Sequence, residues 1–266
     1  MLGLALLALF VVVEKHSPAP LVPLKLFASR RFLGANLLTF FLYAAIGGAL
    51  FYLPLNLIQV QGYTPTHAGA ALIPLVVIMF LLSRWAGGLL DRYGPRLPLV
   101  VGPLIAAAGY TMLARPGVGG SYWTTYLPAL VLLGLGMTIS VAPLTTVVLT
   151  SVEDSRAGAA SGINNAASQV AGLLALAVFA PVFFHVFAPQ LSVQLERRQV
   201  AGEVRQYVEE NRMKLAAIET NDAQARQAID HAFVSAFRTI ALIAAGLSLA
   251  SAASAAATMK PRVRTP

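Results

Sequence analysis

The sequence predicts an all-helical integral membrane protein, and three observations lead to this fold class. Of the 266 residues, 57% are hydrophobic and only 11% are charged, whereas a soluble domain has about 25% charged residues. The mean hydropathy is +0.71. The apolar residues also fall into long blocks that lack the alternation of a β-barrel strand. Because lipid admits only helices and closed barrels, we expect these blocks to be transmembrane helices.

Composition excludes several other classes of protein. The chain has no cysteine and only four scattered histidines, which argues against disulfides and against thiolate or histidine metal sites. The formal net charge of +8 comes from basic residues spread between apolar blocks, so we expect no nucleic-acid partner. Ser, His and Asp form no catalytic arrangement, and the chain is therefore not expected to be an enzyme.

Seven apolar blocks follow one another along the chain. They cover residues 2–13, 32–60, 67–90, 97–114, 122–150, 158–187 and 233–259. A spanning helix needs about 20 residues to cross a hydrocarbon core of about 30 Å, and the last six blocks meet this length. The first block covers only about 18 Å. We expect it to be the end of a helix whose beginning is missing, the alternatives being a wrongly assigned start or an interfacial segment.

The basic residues of the short loops predict the orientation. They occur in alternate loops: Lys15, Lys25, Arg30 and Arg31, then Arg92 and Arg96, then Arg156, then Lys260, Arg262 and Arg264, whereas the intervening short loops contain only Arg115. The positive-inside rule places the first set, and with it the C-terminus, in the cytoplasm. We therefore expect a multi-pass protein of the inner or plasma membrane.

The resulting organisation has six parts. We expect a truncated end of a linker transmembrane helix over 1–13, a cytoplasmic loop over 14–31, five transmembrane helices over 32–187, a long and partly helical extracytoplasmic loop over 188–230, a last transmembrane helix over 231–259 and a cytoplasmic tail over 260–266. In the long loop, apolar residues recur at near-helical spacing (Val200, Val204, Val208, Leu215 and Ile218). This pattern favours an amphipathic excursion at or above the membrane surface, with a ligand-binding lid as the alternative.

The sharpest local motif lies between the third and fourth blocks, at residues 87–96. It contains Gly87, Asp91, Arg92, Gly94 and Arg96 in the pattern Gly-x-Leu-x-Asp-Arg-x-Gly-x-Arg. The glycines allow close helix approach and chain reversal, and the arginines suit the anionic inner leaflet. Arg84 is the only charge well inside an apolar block. Its spacing of seven residues places it on the face of Asp91, so we expect an ion pair in preference to a proton-coupling role.

This motif resembles the signature loop of the major facilitator superfamily, as it occurs in the second half of those transporters. Residues 52–59, 62–64 and 68–69, then 134–137 and 142–144, then 158–165, are similar to the drug:proton antiporter subgroup with fourteen spans. The resemblance implies six helices of a C-terminal domain after the end of a linker helix. It also implies a proton gradient as energy source and no cofactor. The family's N-terminal six helices have no counterpart in this sequence, nor does the antiporter signature of the fifth helix.

Polar residues within the apolar blocks are the candidates for a cavity or a helix interface. The second block carries Asn36, Tyr43, Asn56 and Gln59, and the sixth carries Asn164, Asn165 and Gln169. In the sixth block Gly158, Ser161, Gly162, Asn165, Ser168, Gln169 and Gly172 share one helical face. They either line a central cavity or hold helices together. Pro54, Pro143, Pro74 and Pro128 are expected to bend their helices.

The predicted function is membrane transport, as the C-terminal half of a proton-coupled exporter of drugs or small molecules that works by alternating access. The expected partners are the lipid bilayer, a missing N-terminal six-helix half or a second copy, and a small hydrophobic or amphipathic substrate. No carboxylate lies in an apolar core, so we expect this chain by itself not to transport. The alternatives are a self-assembling half-transporter and a membrane accessory protein without transport activity.

Overall fold

The computed structural model describes residues 24–259 without a break, together with Gly3, Leu9 and residues 12–14. Within this part of the chain all regular structure is helical, and six helices are long and apolar enough to cross a membrane. We number them α1 to α6: Arg30–Leu55, Ile73–Tyr93, Arg96–Leu113, Leu127–Leu149, Ala157–Arg197 and Ala223–Thr258. The predicted fold class is confirmed. Most of segment 1–13, Lys15 and the tail 260–266 lie outside the described residues.

The six helices form a bundle around α6. This helix packs along α1, α3 and α5, while α4 packs between α2 and α3. Helix α1 also lies along α5, and α4 makes smaller contacts with both α1 and α5. Helices α2 and α5 are the most exposed of the six.

Close approach of backbones holds α3 against α4. A Cβ added to Gly136 on α4 would lie 2.7 Å from the carbonyl oxygen of Gly102 on α3 and 2.9 Å from the Cα of Ala106. Only glycine fits at this crossing. Because lipid tails are as apolar as leucine, such close packing is what stabilises helix pairs within a membrane.

Prolines act in two ways in the six helices. Pro54 and Pro143 lie inside α1 and α4, and α1 continues past Pro54 into one π-helical turn, Asn56–Val60. Pro74 and Pro128 instead occupy the first turns of α2 and α4. There the missing N–H costs nothing, because the first N–H groups of a helix have no intrahelical partner. Each of the two prolines follows an interruption of the helix within its apolar block, at residues 71–72 and at Tyr126.

The polar stretch 188–230 is a small folded unit. Helix α5 extends into this stretch as far as Arg197, and a short helix follows at Gly202–Glu210. Helix α6 begins at Ala223, and the Asp222 side chain caps it by accepting a hydrogen bond from the amide of Ala225. Val208 and Ile218 are fully buried, and Val200, Val204 and Leu215 pack against the same core. The predicted amphipathic face thus packs onto protein.

Candidate functional site

Asparagine side chains join α1 to α5 inside the bundle. The Asn164 amide Nδ2 donates to Thr39 Oγ1 at 2.6 Å and lies 3.3 Å from Asn36 Oδ1. Asn36 and Thr39 in turn donate to carbonyl oxygens one turn earlier on α1. Asn36 and Thr39 are buried. Two of the predicted residues, Asn36 and Asn164, therefore meet at a helix interface.

A small polar pocket lies beside this interface, between α1, α4 and α5. Its volume is about 60 Å³. The polar lining consists of hydroxyl and amide groups, from Tyr43 on α1, Thr145 on α4, and Ser161, Asn164, Asn165 and Ser168 on α5, and its apolar wall comes from α4 (Val141, Leu144, Val148 and Leu149). The lining contains no acidic or basic residue, so the pocket offers hydrogen bonds to uncharged groups.

Aromatic packing closes the opposite end of the α1–α5 contact. The Tyr52 ring on α1 stacks on the Phe183 ring of α5, with centroids 4.5 Å apart and planes within 5°. Phe233 of α6 meets Phe183 edge-on at 4.9 Å. About one turn nearer the pocket on α1, a Cβ on Gly48 would collide with the Phe179 ring, and a Cβ on Gly47 would lie 3.1 Å from the Cα of Gly172 on the backbone of α5.

The remaining predicted polar residues lie elsewhere. Asn56 is buried near the far end of α1, where its Oδ1 accepts hydrogen bonds from the Tyr126 hydroxyl at 3.0 Å and from Gln61 Nε2 at 3.4 Å. The Gln61 side chain also bonds Gly117 and Gly119, so this network joins two short loops. Gln169 is exposed on α5. The seven predicted polar residues therefore do not form one site.

Hydrogen bonds also fix the short helix Tyr122–Thr125 at this end of the bundle. The Tyr122 hydroxyl donates to the Ala71 carbonyl at 2.7 Å. Burial raises the pKa of this hydroxyl above its ordinary value, and the neighbouring Tyr63 adds to the shift. The group is therefore a protonated donor at neutral pH.

The signature loop closes the turn between α2 and α3. Gly94 ends α2 with φ of 75°, a left-handed conformation that suits glycine. The Arg92 guanidinium lies over the Tyr93 ring, 5.4 Å from its centroid. No described atom lies within 4 Å of the position that a Cβ on Gly87 or Gly88 would occupy, so the close helix approach expected there is not made among the described residues.

Arg84 and Asp91, for which we expected an ion pair, both lie on α2. No ion pair joins the two side chains, and both are exposed. A spacing of seven residues puts two side chains on one face, but it leaves them two turns, about 10 Å, apart along the helix axis. Arg96, the last residue of the motif, begins α3 and is exposed.

Sequence reasoning missed Arg226, which connects three segments. Its guanidinium donates to the carbonyls of Ala216 and Ile218 in the folded unit and of Gln59 at the end of α1. It also pairs with Asp230, one turn further along α6. The spacing of four residues between opposite charges, shortly after a capping Asp222, was the available signal.

Fold and pocket together define a multi-pass helical membrane protein with an uncharged polar recess between its helices. The family model of the Major Facilitator Superfamily matches residues 1–176, which is most of the chain. The chain therefore belongs to the Major Facilitator Superfamily. This is a family of membrane transporters rather than enzymes, and its members generally need no cofactor.

Three curated relatives are similar over much of the chain. A lincomycin resistance protein of Streptomyces lincolnensis is 32% identical over 177 residues, which cover 66% of this chain and 37% of that protein. The multidrug resistance protein Stp of Mycobacterium tuberculosis is 32% identical over 71% of the chain and 35% of its own length. A tetracenomycin C resistance and export protein of Streptomyces glaucescens is 33% identical over 64% and 31%. The matches thus span about a third of these relatives.

Proposed function

We propose that these six helices form the C-terminal bundle of a proton-coupled drug exporter that works by alternating access, and that the pocket between α1, α4 and α5 is part of its substrate path. The resistance and export functions named for the relatives support this proposal. In such transporters two helix bundles rock about a site near the middle of the membrane.

The observation that carries the proposal is an uncharged polar recess in an otherwise apolar bundle. No hydrogen bond joins the Tyr43 hydroxyl or the Asn165 side-chain amide to another described residue, although both line the pocket. Polar groups within a membrane usually have partners or a function. We infer that these groups contact the substrate when it passes.

The size of the pocket points to a second wall. Sites for drug-sized ligands measure about 300–1,000 Å³, whereas this recess measures about 60 Å³. Large apolar side chains stand exposed on α2 and α5, with Phe80 at 78% and Leu173 at 69%. Asn165 and Gln169 are exposed on α5 as well. We propose that a second six-helix bundle packs against α2 and α5 and completes the cavity.

We also propose that the carboxylates that couple export to protons lie outside these six helices. Within helices α1 to α6 the buried acid is Asp230, which is paired with Arg226; Glu14, which precedes these helices, is also buried. Asp91, at the end of α2, is exposed. In this arrangement the bundle supplies hydrogen-bonding groups and a rigid wall, and the opposing bundle supplies the titrating group.

An efflux measurement tests the role of the pocket. The gene is expressed at its native length in a susceptible host without its own exporters, and accumulation of a fluorescent drug is followed. Asn165→Leu removes a hydrogen-bonding group. We expect it to reduce efflux about fivefold, because one hydrogen bond contributes about 1 kcal/mol, which corresponds to a factor of about five. The matched control is Gln190→Leu, an exposed amide on the same helix outside the pocket. Equal efflux by both variants would exclude a role for the pocket.

The mass of the purified chain in detergent tests the second wall. A particle that contains two copies indicates that a second copy supplies the opposing bundle. A single copy that recovers transport only together with another six-helix polypeptide indicates a separate bundle. A single copy that transports by itself contradicts the need for any second wall.

Single introduced cysteines test the proposed orientation, because the chain contains no cysteine. Ser155 precedes α5 and Asn221 precedes α6, and both are exposed. We expect an impermeant thiol reagent to label a cysteine at 221 in intact cells and one at 155 only after the cells are opened. Labelling of both positions in intact cells would contradict the six-span orientation with a cytoplasmic C-terminus.

A further inference from the structure

Helices α3 and α6 together form an exposed apolar surface that ends in two arginines. On α3 the exposed residues Leu97, Val101, Leu104, Ala108 and Thr111 follow one another at helical spacing and lead to Arg115. On α6 Leu242 and Leu249, each 50% exposed, lead back to Arg238. The two helices pack along each other, and Arg238 Nε donates to the Ala114 carbonyl at 2.8 Å. Both arginines therefore lie at the same end of one continuous surface.

The length of α3 sets the depth of these arginines. The helix has 18 residues and measures about 27 Å at 1.5 Å per residue, close to the hydrocarbon thickness of about 30 Å. Arg96 begins it, and Arg115 follows its end, so each lies where the hydrocarbon core gives way to headgroups. Trp123 in the adjacent short helix is 72% exposed, as is typical of the aromatic belt at a membrane interface.

An open cleft of about 320 Å³ lies beside Arg115, lined also by Met112, Pro116, Gly117, Gly119, Thr124 and Thr125. Acidic residues are absent from the sequence around this cleft. The sequence has no Asp or Glu between residues 92 and 152, and none after Asp230. Among the described residues neither Arg115 nor Arg238 takes part in an ion pair, and the terminal amino groups of Arg238 make no hydrogen bond.

We propose that this surface binds an anionic glycerophospholipid, with the phosphate at Arg115 and Arg238 and an acyl chain along the exposed residues of α3 and α6. Arginine matches the geometry of a phosphate with two parallel N–H donors. The apolar surface next to the arginines favours a lipid over free phosphate, because a lipid has an acyl chain that can cover this surface and free phosphate does not. This site lies on different helices from the exposed faces of α2 and α5, and it does not depend on the proposed transport function.

Native mass spectrometry of the full chain, purified in a neutral detergent and titrated with phosphatidylglycerol or phosphatidylcholine, tests the proposal. Each basic group near a membrane surface contributes about 1 kcal/mol toward an anionic lipid, or about fivefold in affinity. We expect wild-type protein to prefer phosphatidylglycerol about 25-fold, Arg115→Gln about fivefold, and the double variant Arg115→Gln with Arg238→Gln not at all. Arg115→Lys is expected to keep most of the preference.

The matched control is Arg84→Gln, which removes an exposed arginine from α2 and is expected to leave the preference unchanged. The Arg115 side chain makes no hydrogen bond to another described residue, so its single variant remains informative even where the double variant folds poorly. An undiminished preference in Arg115→Gln would overturn the proposal. Displacement of the lipid by excess inorganic phosphate, or equal binding of a short-chain phosphatidylglycerol, would instead indicate a site for free anions.

Discussion

The two ends of the contact between α1 and α5 are held by different chemistry. At the end near Asn36 and Asn164, amide and hydroxyl groups bond across the interface and a pocket opens beside them. At the end near Tyr52 and Phe183, the contact consists of stacked rings and closely approaching glycine backbones.

This difference separates rigidity from recognition along one helix pair. Close-packed rings lose contacts as soon as they separate, so the aromatic end resists opening. Hydrogen bonds between amides and hydroxyls can be exchanged for bonds to a ligand at little net cost. The aromatic end thus provides the fixed support, and the polar end provides groups that can change partners.

The largest expected effect comes from removing the central ring of the aromatic end. Phe183→Ala deletes a side chain that is 1% exposed and contacts both Tyr52 and Phe233. We expect a loss of about 3–5 kcal/mol in the free energy of unfolding, from lost contacts and a residual cavity. Thermal unfolding in detergent measures it, with Leu173→Ala as the exposed control on the same helix. Similar losses in both variants would refute the distinction between the two faces of α5.

The second prediction concerns Arg226, which connects the end of α1 to the folded unit 188–230. Arg226→Gln removes bonds to the carbonyls of Gln59, Ala216 and Ile218 and leaves Asp230 unpaired. A single hydrogen bond to a charged group contributes about 1.5–3 kcal/mol. Because the Arg226 side chain is 33% exposed, solvent weakens its bonds, and we expect a total loss of only about 2–3 kcal/mol. The control is Arg205→Gln, which breaks a surface pair with Glu209 that contributes about 0–1 kcal/mol. Faster proteolysis between residues 198 and 222 in Arg226→Gln alone is the second readout.

Adding a methyl group, instead of removing a side chain, also tests the difference between the two ends of the α1–α5 contact. Gly48→Ala places a methyl group against the buried Phe179 ring, and we expect it to cost about 1–3 kcal/mol. Gly162→Ala lies near the polar end, where no described atom is within 4 Å of the added Cβ. It should leave stability unchanged or raise it slightly through helix propensity. A destabilised Gly162→Ala would show that the polar end is packed by a partner in the purified protein.

The smallest expected effect on stability distinguishes two neighbouring asparagines. Asn164→Ala removes bonds to Thr39 and Asn36, which within membranes contribute about 0.6–1.7 kcal/mol. Asn165→Ala removes a side chain without such bonds and should not change the melting temperature. Efflux should show the reverse order, with Asn165→Ala the more impaired. A single order in both measurements would mean that the structure misassigns the roles of the two residues.

Hydrophobic block length predicted the six helices well, because lipid leaves a long apolar segment few alternatives. Which face of each helix packs inward was harder to predict. Helices α1 and α4 are apolar on nearly all sides, so periodicity does not show which side packs inward. For this reason the sequence singled out Asn36 and Asn164 without indicating that they meet, and placed Asn165 with Gln169 although only Asn165 lines the pocket.

The residues at which the helices begin and end were predicted less accurately than the presence of the helices. The sequence predicted a long, partly helical loop at 188–230 without its helix bounds, and in the structure α5 and α6 both extend into this stretch. Leu195, Val208, Ile218 and Ile229 are buried in one core cluster, a tertiary effect that no single segment reveals. The ties of Arg226 to Gln59 and of Asn56 to Tyr126 connect residues far apart in sequence, which pattern reading along the chain does not detect.

The central position of α6 has a consequence for the order in which the chain assembles during synthesis. Ser251 and Ser254 on α6 donate to the carbonyls of Leu38 and Gly34 on α1, across sequence separations of 213 and 220 residues. At about 5–20 residues per second, a ribosome needs roughly 10–40 s to make the intervening chain. Helix α1 therefore precedes its main neighbour by that interval, and the packing of α1 is completed only once α6 has been made.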